Sequence, residues 1–217
     1  MTPPKPLRAL ALVCTLSPSP AESSSDLMAR QLLTSFAEMG VDGSSVRLVD
    51  HDVKPGVDQD MGDGDAWPGI RNQLVAAEIV IVSTPIRLGQ LSSVGQRLLE
   101  RLVAEVGESD ADGRPAMSGK VVVTGVVGPE DGAHHATAEL FQALNAIGFT
   151  IPAHGGVHWN DEAMLDDPRN YKDLDQMPDK LSTSMARVAD NATHLARLLR
   201  MAQYPVRESG QPAAGVR

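Results

Sequence analysis

Apolar residues fall into two rhythms along this chain. Short, nearly unbroken apolar runs at Leu7–Cys14, Glu78–Ser83 and Lys120–Val127 alternate with stretches where apolar positions recur every three or four residues. Runs of the first kind read as strands buried on both faces, and the second kind as helices with one face on a core. The first helix starts near Ser24 or Ser25, turns Met28, Leu32, Phe36 and Met39 inward, and is closed by Gly40. Ser45–Asp50 reads as a second strand and Trp67–Ala76 as a short helix. A further helix carries a capping-box pattern, Ser93 with Gln96 three residues on, and the apolar face Leu91, Val94, Leu98, Leu102 and Val106. Another places Leu140, Leu144 and Ile147 inward and stops at Gly148. A last short strand lies within Phe149–His158, and a final helix spans Asp179–Met201 with Leu181, Met185, Val188, Ala192, Leu195 and Leu199 on one face.

Strand and helix thus alternate about five times, and the pattern predicts an α/β fold. A doubly wound, five-stranded parallel sheet in order 2-1-3-4-5, with helices on both faces, is the natural topology. Such sheets bind ligands beyond the carboxyl ends of their strands, which directs attention to loops 15–25, 84–92 and 128–135. Residues 1–6, with three prolines, are expected to be a flexible leader, 7–203 one domain, and 204–217 a disordered tail.

Composition narrows the function. The 217 residues carry 19 Lys+Arg against 28 Asp+Glu, a net charge of −9, and no run of basic residues that would neutralise a nucleic-acid backbone. No apolar run approaches the ~20 residues that span a bilayer, so no membrane partner is expected. The single cysteine, Cys14, cannot make an intramolecular disulfide or a multi-cysteine zinc site. Lys5 and Arg8 before Ala9–Cys14 imitate a secretory signal, but Leu12 and Val13 stand where cleavage needs small residues, and a buried strand is the better reading. A cytoplasmic protein is expected.

The three loops carry the candidate chemistry. The first holds Ser17, Ser19, Ser23, Ser24 and Ser25 ahead of a helix start, where free N–H groups and the positive end of the helix dipole suit a phosphate. The plain alternative is a single serine cap. No Walker loop and no Gly-x-Gly-x-x-Gly fingerprint is present. No arginine follows Cys14 as a phosphatase would need, so Cys14 reads as a buried, inert thiol. There is no Lys or Arg from Ala9 through Met28, so a phosphate here is expected to rest on hydroxyls and helix amides. The second loop, Ser83–Ser93, combines the stiff Pro85 with Gly89 and a lone Arg87 in an apolar setting; the alternative is a simple strand–helix connector. The third has Gly125, Gly128 and Gly132 with Asp131, a candidate cap for the next helix, and the neighbours His134 and His135, which point about 100° apart on a helix and so make a poor metal pair. Asp58, Asp60, Asp63 and Asp65 imitate a calcium loop but lack its twelfth-position acid, and no metal site is expected.

Taken together, the serine loop Ser17–Ser25, Thr84-Pro-Ile-Arg-Leu-Gly-Gln-Leu-Ser-Ser93 and Gly128-Pro-Glu-Asp-Gly-Ala-His134 resemble the flavodoxin-like NAD(P)H-dependent FMN reductases, leaning towards their quinone-reductase branch. The resemblance implies a flavodoxin-like fold with FMN as cofactor and NAD(P)H as co-substrate. Electrons would pass to a quinone, flavin or similar small acceptor by ping-pong. It places Ser17, Ser19, Ser23, Ser24 and Ser25 at the phosphate, Pro85, Ile86, Arg87, Leu88 and Gly89 along the ring, and Gly128, Asp131 and Gly132 on its far side. Arg87 and His134 become the candidate catalytic residues. A homodimer or homotetramer is implied, with Trp159 or Tyr171 able to reach a flavin or simply to pack under a long loop. A flavodoxin-type electron carrier and a flavin-free assembly module are the alternatives.

Overall fold

The computed structural model describes residues 5–128, 131–160 and 169–206. Strands β1 (Leu7–Val13), β2 (Val41–Arg47), β3 (Ile79–Arg87), β5 (Val121–Gly128) and β6 (Gly156–Asn160) form a parallel sheet in the order β2-β1-β3-β5-β6. The two-residue strand β4 (Gln90–Leu91) folds back antiparallel on the end of β3. With β4 set aside, this is the expected 2-1-3-4-5 order. Helices α1 (Ser24–Glu38), α2 (Trp67–Ala76), α3 (Ser93–Leu102), α4 (Ala133–Ala146) and α5 (Asp179–Met201) cover the sheet.

Period-two alternation sorts the strand residues between two cores. Leu10, Leu12, Val80, Val82, Val122 and Val126 face one side, against Trp67, Ile70 and Leu74 of α2, Leu98 and Leu102 of α3, and Leu140 and Leu144 of α4. Ala9, Ala11, Val13, Ile79, Ile81, Val121 and Val123 face the other, against Met28, Leu32 and Phe36 of α1 and Met185, Val188, Ala192 and Ala196 of α5. Cys14 lies in the first core, fully buried, and burial pushes its thiol up to about 12, so it is inert near neutral pH.

Several boundaries differ from the sequence reading. The second strand is Val41–Arg47 rather than Ser45–Asp50, which instead ends in a 3₁₀ turn at Leu48–Asp50. As an edge strand it needs few apolar residues, and Asp42–Ser45 are exposed. The third strand continues from Ser83 to Arg87, so most of the supposed loop 84–89 is strand. Helix α3 is capped by Ser92, not Ser93: the Ser92 hydroxyl accepts from Gly95 N–H, and Gln96 bonds Glu139 across to α4 rather than closing a capping box. Leu91 belongs to β4, and Val106 lies exposed beyond the helix. Helix α4 ends at Ala146, and the last strand is Gly156–Asn160, later than Phe149–His158. Most of the expected tail, 207–217, lies outside the described residues.

The acidic loop is held from within. Asp65 accepts from the N–H groups of Met61, Trp67 and Lys54 and pairs with Arg101 at 2.8 Å, both side chains having no exposed surface. Burial alone would raise the Asp65 carboxyl, but those donors and Arg101 together hold it below its ordinary value.

Candidate functional site

The first loop leaves β1 at Cys14 and returns at Ser23, the N-cap of α1, whose hydroxyl accepts from Asp26 N–H. Its residues form a buried hydroxyl cluster. Ser23 Oγ donates to Thr15 Oγ1 at 2.8 Å and lies 3.2 Å from Ser25 Oγ, and Ser83 Oγ donates to the Ser25 carbonyl at 2.7 Å. Arg47, at the end of β2, clamps the loop from outside, pairing with Asp26 at 3.0 Å and donating to the Ala21 carbonyl. Within the first turn of α1, the N–H groups of Ser24 and Ser25 have no acceptor among the described residues. Two unpaired donors at the positive end of a 15-residue helix are what a phosphate needs.

These groups face a cleft of about 150 Å³ at the carboxyl edge of the sheet, roughly five water volumes. Ser17, Ser23, Ser24, Ser25, Pro85, Arg87 and Gly128 all line it. Seven of the expected residues, drawn from three loops, therefore converge. Ser19 does not: its N–H and hydroxyl donate to Asp50 at 2.7 and 2.6 Å, and these bonds hold the Asp50 carboxyl below its ordinary value. Ser19 thus ties the loop to the turn that follows β2 and does not line the cleft.

The second loop is a hairpin. Arg87 pairs with Gln90, and Leu88 and Gly89 make the two-residue turn with φ of 51° and 75°. Two positive φ values mark a type I′ turn, which favours Asn-Gly; leucine in the left-handed region costs about 1–2 kcal/mol. Leu88 is 91 % exposed at that tip, and neither it nor Gly89 reaches the cleft wall. Ile86 is buried beneath Gly128, where an added Cβ would lie 2.9 Å from Ile86 Cβ. Gly128 is thus small because β3 and β5 meet there. Arg87 donates to the Ile86 carbonyl at 2.7 Å and keeps its guanidinium on the cleft wall.

Gly132, not Asp131, caps α4, with φ of 117°; the exposed Asp131 accepts from Gly132 N–H. Gly132 rests on the hairpin tip, where a Cβ would sit 2.6 Å from Gly89 Cα. Neither Asp131 nor Gly132 lines the cleft. His134, in the first turn of α4, meets His158 of β6 edge-on at 4.7 Å, while His135 bonds Gln90. His158 is held below its ordinary value by desolvation and by the His134 charge.

One wall was not legible in the loops. Asn170, Tyr171 and Lys172 complete the cleft from a segment some 150 residues away in sequence. Tyr171 is buried, donates to Gln31 on α1, and stacks at a tilt on Trp159 with 5.5 Å between rings. Burial pushes the Tyr171 hydroxyl up to about 12 against the effect of Gln31. Lys172 N–H donates to Ser24 Oγ, and its ammonium pairs with Asp173 at 2.6 Å. The serine loop itself carries no Lys or Arg, but Lys172 and Arg87, from other segments, line the same cleft. Trp159 faces a neighbouring cavity of about 460 Å³ with His158, Asn160 and Lys180. Among the described residues, no cluster of three or more His, Cys, Asp or Glu could hold a metal, and no helix is long and apolar enough to cross a membrane.

A doubly wound parallel sheet whose serine loop and helix N-terminus meet the ends of β3 and β5 in one cleft defines a flavodoxin-like flavin-binding protein. Residues 7–163 match the family described as NADPH-dependent FMN reductase, and the chain belongs to that family. A divalent metal cation transporter MntH of Mycobacterium bovis is 33% identical over 222 residues, which cover 96% of this chain and 32% of that protein; the chain spans about a third of this relative's length. An 8-demethyl-8-aminoriboflavin-5'-phosphate synthase of Streptomyces davaonensis is 26% identical over 91% of this chain and 80% of its own. The crystal structure of RosB with bound 8-demethyl-8-formylriboflavin-5'-phosphate superposes with a TM-score of 0.81 at 25% identity, covering 91% of this chain and 82% of that one. FerB, an NAD(P)H:acceptor oxidoreductase from Paracoccus denitrificans, shares the fold with a TM-score of 0.60 at 15% identity over 88% of this chain and 98% of its own.

Proposed function

We propose that the chain takes hydride from NAD(P)H and passes electrons to a quinone, flavin or similar small acceptor, the two reactants using one site in turn. The observation that carries this is the convergence of Ser17, Ser23, Ser24, Ser25, Pro85, Arg87 and Gly128 on one cleft, beside two helix N–H groups without acceptors. Those residues fit FMN: the unpaired N–H donors at the start of α1 match a phosphate, and the Ser17, Ser23 and Ser24 side chains line the same cleft. FMN supplies the hydride chemistry when bound, while the protein supplies position and electrostatics. Ser24 and Ser25 N–H hold the phosphate, with the Ser17 hydroxyl adding a donor. Pro85 stiffens the wall, and Arg87 keeps a positive charge there, held in place through the Ile86 carbonyl. His134 does not line the cleft but is exposed at the start of α4, and on this reading it donates a hydrogen bond to the oxygen of an acceptor that extends beyond the cleft.

Stopped-flow measurement of the two half-reactions tests this. His134→Ala should slow reoxidation by a quinone more than reduction by NAD(P)H; equal slowing of both removes His134 from the chemistry. Size-exclusion chromatography with light scattering tests the accompanying proposal of a homodimer or homotetramer, for which the exposed Leu88 tip is the apolar contact a second copy would cover.

A second reading has its own support. The overlap with RosB, a protein solved with a riboflavin-phosphate derivative, extends over most of both chains. On that reading the flavin phosphate is a substrate altered at its ring. Mass spectrometry of the flavin recovered after turnover separates the two: an unchanged mass fits a cofactor, and a changed mass fits a substrate.

A further inference from the structure

The serine loop carries no cation of its own from Ala9 through Met28. A phosphate monoester brings a charge of about −1.5 to −2 near neutral pH, and neutral donors leave it uncompensated. The fold answers this from elsewhere in the chain. Tyr171, at 2% exposure, wedges the 169–173 segment between α1 and Trp159, and the Lys172 N–H fastens it to Ser24 Oγ at 3.2 Å. The anchor is therefore the same helix turn that presents the two unpaired N–H groups. Lys172 lines the cleft with 31% of its side chain exposed. Its ammonium pairs with Asp173 at 2.6 Å and with Glu22 at 3.8 Å. Glu22 lines the cleft too, but its side chain is 85% exposed and free to turn into solvent.

We propose that Lys172 is the charge partner of the flavin's phosphate and the residue by which the cleft prefers FMN over unphosphorylated riboflavin, with Glu22 opposing it. This rests on the reading that the cleft takes the FMN phosphate. Arriving phosphate replaces Glu22 as the second anion beside Lys172, while Asp173 keeps the side chain extended along the wall. Arg87 shares the cleft but is tied through the Ile86 carbonyl to the hairpin, on the side of β3 and β5. Opposite charges at Lys172 and Glu22 give the two sites opposite signs, which a purely structural role for the segment does not.

The test is the affinity of the full-length wild type, Lys172→Gln, Lys172→Arg and Glu22→Gln for FMN and riboflavin, read from quenching of flavin fluorescence. Loss of one charge-assisted contact predicts that Lys172→Gln weakens FMN about tenfold or more and riboflavin less than about twofold. Lys172→Arg should restore FMN affinity to within about threefold, and Glu22→Gln should tighten FMN severalfold with riboflavin unmoved. The proposal is overturned if Lys172→Gln binds FMN like the wild type, if it weakens both flavins equally, or if Glu22→Gln weakens FMN. A wild type that binds neither flavin overturns the underlying FMN reading, and this proposal with it.

Discussion

Replacing Gly132 with alanine should separate the two loops that frame the cleft, and the structure allows the cost to be divided. At φ of 117° a side chain is strained whatever space surrounds it, which costs about 1–2 kcal/mol. The added Cβ also lies 2.6 Å from Gly89 Cα and 2.8 Å from Gly89 O, both backbone atoms that no rotamer change removes. Relief to ordinary contact requires α4 and the β3–β4 hairpin to part by roughly 0.8 Å, an overpacking cost of about 1–3 kcal/mol. Gly40 supplies the control: its φ is 74°, and its Cβ would meet nothing within 4 Å. Gly40→Ala should therefore cost only the strain, about 1–2 kcal/mol, and leave FMN affinity alone. Gly132→Ala should cost roughly 2–5 kcal/mol in urea unfolding and weaken FMN about tenfold, because the displaced hairpin carries Pro85 and Arg87. If Gly132→Ala matches Gly40→Ala in stability and binds FMN like the wild type, the packing of loop on hairpin does not shape the site.

Asp65→Ala leaves the buried Arg101 without its carboxylate and three N–H groups without their acceptor; a loss of about 3–5 kcal/mol in chemical denaturation is expected, and a loss under about 1 would refute the anchoring role. Ser25→Ala should weaken FMN, whereas Ser19→Ala should leave it within about twofold, since Ser19 is engaged by Asp50; equal effects in a fluorescence titration would overturn that division of the serines. His158 is held below its unfolded value near 6.5 by desolvation and the His134 charge, so the unfolded chain takes the proton more readily. Its share of stability is therefore intact above about pH 6.5 and falls as pH drops below it, and melting curves of His158→Gln should lose less between about pH 7.5 and 5.5 than the wild type does; parallel curves would contradict this.

The helices and central strands were legible because their apolar residues follow one period each: α2 and α5 begin and end where the pattern places them. The edge strand β2 was misplaced because Asp42–Ser45 face solvent, and an edge needs little apolar character. The hairpin after β3 was hidden because Leu88-Gly89 carries only one of the residues that type I′ turns favour. At the site, the local part was readable: a serine cluster before a helix, and a proline and an arginine at a strand end. Lys172 was not, since nothing in residues 159–178 signals a return to the start of α1; Tyr171 was named with two alternatives, and it packs against α1 through Gln31. Ser19 shows the converse, a residue of the right type in the right loop that a distant carboxylate, Asp50, had already engaged.

The visible absorption spectrum of the purified protein, before and after addition of FMN and then of NAD(P)H, tests the central claim most directly. Bands of bound oxidised flavin, present on isolation or gained on reconstitution and bleached by the nicotinamide, are the predicted result. A colourless protein that retains no added FMN after desalting would contradict it.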